Sequence, residues 1–424
     1  MTTQPLTVDL LQSAVAGGAV ALRARTRLQP AGGTGDKVFP PTYLNEHGPT
    51  KYAMEERVLD GRRVRTVLLD SVQSQANRME EALKAAWDDG EADFPVIVVD
   101  FTGEPNLEDL DRITTLDMPH RIADAILRDS VTTEGTLFRN TPVGLAYTNA
   151  RVTSATAVYM SCPTALVFGV WDSTGPKGGS GAKFARALVS EIVGVDAQTG
   201  TKTSSRIDPL AIQAVPVFES AAGSEDWTAD PDLARKDGKS KAPVPFSRKG
   251  EGSEKGKASA VNHSNVPPQL DDKAGGVTID HALQTSVLSL VALRRLRFPL
   301  DGNGAPLDRE RRGPVELAAR TALAALGVAA MVLQREFGQD LRSRCLLVPE
   351  GPTTWEILPR DGGTPQAFQV DRAGALRLLR EAATAAAAVG LAWTRSPATL
   401  KPAPKLAELI RRSRLHAAKS GVLE

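Results

Sequence analysis

The residues best suited to chemistry on a polar ligand crowd into one stretch, LLDSVQSQANRMEEALKAAW, Leu68 to Trp87. It reads as a strand running into a helix whose first turns carry Asp70, Ser71, Gln73, Ser74, Gln75 and Asn77. Such side chains cap helices and bind polar groups but pack no core. A second stretch, TGPKGGSGAK, is rich in glycine around Gly175 to Lys183. Backbone amides of a glycine-rich turn can form a nest for phosphate, aided here by Lys177, Lys183 and the start of a helix predicted to follow. The spacing Gly-x-x-x-x-Gly-Lys-Ser/Thr is not met there, nor does Gly-x-Gly-x-x-Gly follow a strand, which argues against a Walker-type NTPase. The histidines His47, His120, His263, His281 and His416 show no metal-ligand spacing. His120, beside Arg121 at a predicted helix start, reads first as a polar helix-start residue, and as the one histidine placed to act as a general acid–base group. No Gly-x-Ser-x-Gly elbow is present, so catalysis has little support. Basic runs stand at Arg62, Arg63 and Arg65, at Arg294, Arg295 and Arg297, and at Arg411, Arg412 and Arg414. Each could be a solvated face. Together with the amide-rich helix start and the glycine loop they fit a surface that grips a phosphate backbone.

Composition narrows the classes. The chain has 424 residues with Lys+Arg 51 against Asp+Glu 50, a net charge of +1. An anionic partner must therefore be met by local clusters. Two cysteines, Cys162 and Cys345, are too few for a disulfide framework, and a reducing cytoplasm is expected. The N-terminus lacks the basic start of a signal peptide, and the longest apolar stretch, Ala322 to Leu333, is shorter than the roughly 20 residues of a membrane span.

The elements that must position these residues follow from periodicity. A short helix is predicted near Val8 to Val15, then a strand over AVALRARTRL. Asp60-Gly61 between two alternating runs predicts a two-residue hairpin. The helix beyond Asp70 has an apolar stripe of Val72, Ala76, Met79, Leu83 and Trp87, with Gln73, Asn77 and Lys84 opposite, and Asp70 with Gln73 suggests a capping box. Next come a strand FPVIVVDF, a helix from Met118 to Ser130, a strand TALVFGVWDS, and a helix from Phe184 to Val193. This order predicts an α+β fold on a ferredoxin-like unit. Residues 220–276 turn Lys-, Gly-, Ser- and Pro-rich and read as a flexible basic insertion, so the expected domains are 1–219, 220–276 and 277–424. The remainder is expected to be mostly helical: TIDHALQTSVLSLVALRRLRF, Val315 to Phe337 and Asp371 to Leu391, with a hairpin over RCLLVPEGPTTWEILPRDG and a basic amphipathic C-terminal helix.

Taken in order, VLLDSVQSQANRMEEAL, MPHRIADAILRDS, TALVFGVWDSTG with KFARALVSEIVG, SRIDPL and LSLVALRRLRF resemble the backbone subunit of type I-G (formerly I-U) CRISPR surveillance complexes, a family of the RAMP superfamily. The resemblance spans about Arg62 to Phe298. It implies a modified RRM-like (ferredoxin-like) palm with large insertions forming finger, web and thumb, and a helical C-terminal region. It implies no cofactor and no metal. Copies would stack head to tail along CRISPR guide RNA, hold its backbone, and present bases to a target DNA strand beside the other Cascade subunits, the large subunit and the guide-processing ribonuclease among them. Sequence is then read by pairing, and the protein supplies backbone contacts. On this resemblance the RNA contacts are expected at Ser71, Gln73, Ser74, Asn77 and Arg78, at Lys177, Gly178, Gly179 and Lys183, and at His120 and Arg121. The competing class is a metal-independent endoribonuclease that matures the guide with His120 as its acid–base group. A third reading is a nucleotide-dependent transferase built on the glycine loop.

Overall fold

Period-two patterning builds the central sheet. In the computed structural model, which describes residues 4–44, 48–212, 214–247, 255–263, 265–396 and 398–419, the run His281–Ser289 alternates strictly. Ala282, Gln284, Ser286 and Leu288 are buried, and the residues between them are half-buried. Alternation of this kind marks a strand with one covered face. The ten-stranded sheet contains β1 (Ala19–Pro30), β2 (Met54–Leu59), β3 (Arg62–Asp70), β4 (Leu188–Val195), β5 (His281–Ser289) and β6 (Thr354–Pro359), side by side in the order β6-β1-β5-β4-β3-β2. All five pairings along this path are antiparallel. Three helices matter most: α1 (Val72–Asp88), α2 (Arg309–Phe337) and α3 (Arg372–Ala388).

Along the chain β1, α1, β4, β5, α2 and β6 follow the β-α-β-β-α-β sequence of a ferredoxin-like unit, with β2 and β3 added at one edge. The architecture is α+β, as expected. Asp60 and Gly61 both have positive φ (49° and 77°) in the β2–β3 turn, which is why Asp-Gly suits it. The apolar core joins Leu22 and Ala24 of β1, Met79 and Leu83 of α1, Leu288 of β5, Leu323 to Leu333 of α2, and Leu376 to Leu379 of α3. Among the described residues α2 alone is long and apolar enough to cross a membrane, and 83% of its apolar window lies buried inside the fold.

Several local expectations are overturned. Phe184 and Leu188–Val193 of one predicted helix, and His281–Ser289 of the TIDHALQTSVLSLVALRRLRF stretch, are strand because their alternating residues meet the sheet, while Leu290–Arg295 at the end of that stretch is helical as expected. Thr164–Phe168 is helical, and only Val170–Trp171 of the predicted strand is extended. The predicted Met118–Ser130 helix breaks into a turn, Arg121–Ala123, and a short helix, Ala125–Arg128, capped by Asp124. Arg121 has φ +52°, which ends any regular helix there. Of FPVIVVDF only Val98–Asp100 is a strand, in a separate four-stranded sheet. Leu346–Pro349 and Thr354–Pro359 do not form a hairpin with each other; both pair with β1 at successive positions.

The chain divides into two compact units. The sheet and core belong to Met1–Pro41, Tyr52–Gln198 and Thr278–Ser413. The other unit comprises Thr42–Lys51, Thr199–Val277 and Arg414–Glu424. Where composition predicts no regular structure it holds the strands Gly223–Thr228 and Val266–Asp271, and a small core of Val217, Phe246, Ala258 and Ala260. Residues 248–254 and 264 of the basic segment lie outside the described residues.

Beneath the sheet runs a buried polar network. Gln75 Nε2 donates to Asp70 Oδ2 (2.7 Å), and Gln75 Oε1 accepts from Ser190 Oγ and from Gln284 Nε2 (2.9 Å each). Gln284 also donates to Gln334 (3.0 Å) and accepts from Gln339 (3.3 Å). Both the nitrogen and the oxygen of the Gln75 amide are thus engaged, by groups of β3, β4 and β5. Gln75→Leu should orphan these partners and lower stability by about 2–3 kcal/mol in urea unfolding, whereas Gln73→Leu two residues away on the exposed side should change it by no more than about 0.5 kcal/mol.

Candidate nucleic-acid interface

The polar helix start sorts its residues into three roles. Ser71, not Asp70, caps α1, its Oγ accepting from Ser74 N at 3.2 Å. Asp70 is fully buried and accepts from Gln75, from Arg78 Nε (3.1 Å) and from Arg342 Nη2 (3.3 Å). Arg78 also donates to the carbonyls of Leu341 (2.5 Å) and Asp340 (3.4 Å), so its guanidinium is held against the protein. Gln73 and Asn77 are left exposed, one helical turn apart on one face.

That face borders a cleft of about 470 Å³. Its walls come from Gln73 and Asn77, from Pro119, His120 and Arg121, from the Phe168–Trp171 turn with Ser173, and from Lys183, Phe184 and Arg186. Three segments singled out in the sequence therefore converge: the amide helix, the His120–Arg121 pair and the end of the glycine loop. The side chain of His120 is exposed at the cleft.

Arg121 forms the back wall. Its guanidinium meets Glu80 of α1 through two hydrogen bonds of 2.6 Å, donates to Gly169 O at 3.2 Å, and lies 5.3 Å from the Phe168 ring centroid. Both partners are buried, Arg121 at 6% and Glu80 at 1% side-chain exposure. Burial pushes the Glu80 carboxyl up to about 7, against the pull of Arg121 and then Arg186. Gly169 has φ +83°, and a Cβ there would come within 3.0 Å of Arg186 N, so glycine is required where this wall turns. Arg186 is half-buried and donates to the Val72 carbonyl at 3.0 Å; burial draws its pKa below the usual arginine value. Lys183 is exposed, with its ammonium 4.8 Å from the centre of the Trp171 ring.

The glycine loop holds itself together. Gly178 N donates to Gly175 O, Ser180 N to Lys177 O, and Gly181 N to Gly178 O, all within 2.9–3.1 Å. These amides face inward to turns and form no open nest. Lys183–Phe184 is a strand, so the helix dipole expected to support an anion is missing. Asp172, buried at the loop's root, pairs with Arg139 through contacts of 2.7 and 2.8 Å, and a Cβ on Gly175 would lie 2.2 Å from its carboxylate. Lys177 Nζ donates to Asn149 Oδ1 at 2.6 Å, and Gly178 and Gly179 sit in the turn Gly178–Ser180. None of these three lines the cleft, whereas Lys183 does.

Sequence reading missed Trp171, Ser173, Phe184 and Arg186. Arg186 was hidden because its stretch read as a helix, yet it is a cation without a nearby acid in sequence, which is a usable signal. In the C-terminal helix Pro404–Lys419, Arg411 is engaged by Pro105 O (2.9 Å) and Glu104 (3.3 Å).

Glu80→Ala should leave Arg121 buried without its counter-ion and lower stability by about 3–5 kcal/mol. The pH response has a defined sign. Desolvation raises the folded carboxyl from about 4.5 to about 7, so charging Glu80 for its pair with Arg121 costs more in the folded than in the unfolded chain, and stability from this group is fully present below about 4.5 and falls as pH rises through 7. Relative to Glu80→Gln, which does not titrate, the unmodified protein should gain melting temperature on acidification through this window; an unchanged difference would contradict the assignment.

Comparison with curated proteins gives no match. Residues 22–199, which contain every residue of the cleft, match the family model described as CRISPR-associated protein GSU0053, and this match indicates a CRISPR-associated protein family.

Proposed function

We propose that the protein is a non-catalytic RNA-binding subunit of a CRISPR surveillance complex, the backbone subunit of a type I-G assembly. It holds the guide RNA backbone in the Gln73–Lys183 cleft and stacks with further copies of itself so that bases pair with target DNA, working in the cytoplasm with the other Cascade subunits. The observation that carries this reading is electrostatic. Lys183 and Arg186 line the cleft, while Glu80, Asp172 and Asp70 are withdrawn behind the arginines that pair with them. The exposed Lys183, the half-buried Arg186, exposed amides and no carboxylate among the lining residues suit a phosphodiester. The family match over the same residues adds support from an independent direction. The sheet with two helices behind it agrees with an RRM-like palm.

An endoribonuclease that matures the guide is kept as the second reading because the exposed His120 shares the cleft with Lys183 and Arg186. The two separate cleanly. His120→Ala should abolish cleavage of a repeat RNA under the enzyme reading; under the first, neither the unmodified protein nor the variant cleaves, and the loss of one cleft side chain weakens RNA binding without preventing assembly.

If one copy engages roughly five phosphates, log K should fall with log salt at a slope of about −3 to −4. Lys183→Ala should bring that slope toward zero by about 0.7, read by fluorescence anisotropy with a labelled guide RNA. Arg78→Ala should instead lower the melting temperature, since it strips a partner from buried Asp70. An unchanged slope in Lys183→Ala would remove the cleft from the RNA path.

A further inference from the structure

The cleft has one feature that phosphate binding does not need. Trp171 is 52% exposed, a large apolar ring at the cleft's edge. It is not loosely placed. Val170–Trp171 pairs with Lys183–Phe184, Trp171 directly opposite Lys183, and Val170 and Phe184 on either strand are buried. The next residue, Asp172, is anchored by Arg139. Behind it, Gly169 O is fixed by Arg121. The indole is therefore carried on a short, well-tethered hairpin. Lys183 lies over the ring, 4.8 Å from its centre. The exposed amides of Gln73 and Asn77 line the same cleft.

We infer that Trp171 is a stacking platform for an unpaired nucleobase, with Lys183 and Arg186 on the adjoining phosphates and the Gln73 and Asn77 amides within the same cleft for polar groups of that nucleotide. This rests on the RNA reading above and gives it a ligand form: single-stranded nucleic acid, not duplex. A base in a helix has both faces covered by its neighbours, so an exposed indole gains a partner only from a base that has left the stack. Stacking accepts any base because every base has a π-face, which suits a subunit that must hold guides of any sequence. The Lys183 ammonium lies over one face of the ring, so a base stacks on the other face or takes the place of the ammonium as it turns to the adjoining phosphate.

The experiment compares Trp171→Ala, Trp171→Phe and Lys183→Ala of the full chain for binding to a single-stranded RNA and to the same RNA annealed to its complement, each over a range of salt. Trp171→Ala should weaken single-strand binding roughly fivefold to a hundredfold, leave the salt slope unchanged, and reduce the preference for single strand over duplex. Trp171→Phe should restore most of the loss, and indole fluorescence of the unmodified protein should be quenched by RNA in a component absent from Trp171→Phe. Circular dichroism and melting of Trp171→Ala check that it folds. If Lys183→Ala changes the slope but Trp171→Ala binds as before, the stacking inference is overturned and the RNA reading stands. If neither variant affects binding, both fail. Quenching that follows protein concentration without RNA would instead mark Trp171 as a contact between copies and overturn the inference.

Discussion

A single buried ion pair, Glu80 with Arg121, fixes the geometry on which the cleft depends. Glu80 projects from the covered face of α1, and Arg121 comes from a turn 41 positions further on. Their two parallel hydrogen bonds allow little rotation, as a planar guanidinium meeting a carboxylate requires. Because Arg121 also donates to Gly169 O, the pair ties the helix, the Pro119–Ala123 turn and the Val170–Trp171 strand to one point. Arg121 adopts a left-handed backbone conformation to reach it, a strain that the two charged contacts hold in place. The consequence for the site is twofold. The cleft's walls are set by buried chemistry, and the Glu80 carboxylate behind them is paired with Arg121 and turned away from a ligand.

The same logic repeats along the helix and the loop. Asp70 is covered by Gln75, Arg78 and Arg342; Asp172 is covered by Arg139. Buried carboxylates need such partners, since an unpaired one would be costly to desolvate. The arrangement separates charge by depth: acids inside and satisfied, Lys183 and the amides outside. A chain of net charge +1 can thereby offer a locally positive cleft.

Much of the scaffold is legible from periodicity alone. The strand Ala19–Pro30, the Asp60-Gly61 hairpin and the helices α1, α2 and α3 all follow from local patterns. The β5 segment is not, because Leu283, Val287, Leu290 and Leu293 also satisfy a helical stripe. Only its pairing with β1 and β4 on both sides resolves the ambiguity toward a strand. Of the candidate site residues, Gln73, Asn77, His120, Arg121 and Lys183 line one cleft. Ser71 is a cap, and Arg78 and Lys177 are engaged elsewhere in the protein.

The amino-acid sequence by itself determined that a helix starts after Asp70, that its first turns are polar and not apolar, and that cations lie in the stretches that approach it. These are properties of neighbours a few positions apart, set by capping and by the 3.6-residue period. What only the tertiary structure decided is the direction each polar side chain serves. Gln75 belongs to the interior because Ser190 and Gln284, 115 and 209 positions further along, present hydrogen-bond donors to it. Gln73, two residues away with the same side chain, meets no such partner and faces the cleft. Two identical amides diverge because burial demands that every donor and acceptor be matched, and the matching groups arrive from distant strands that no local pattern places.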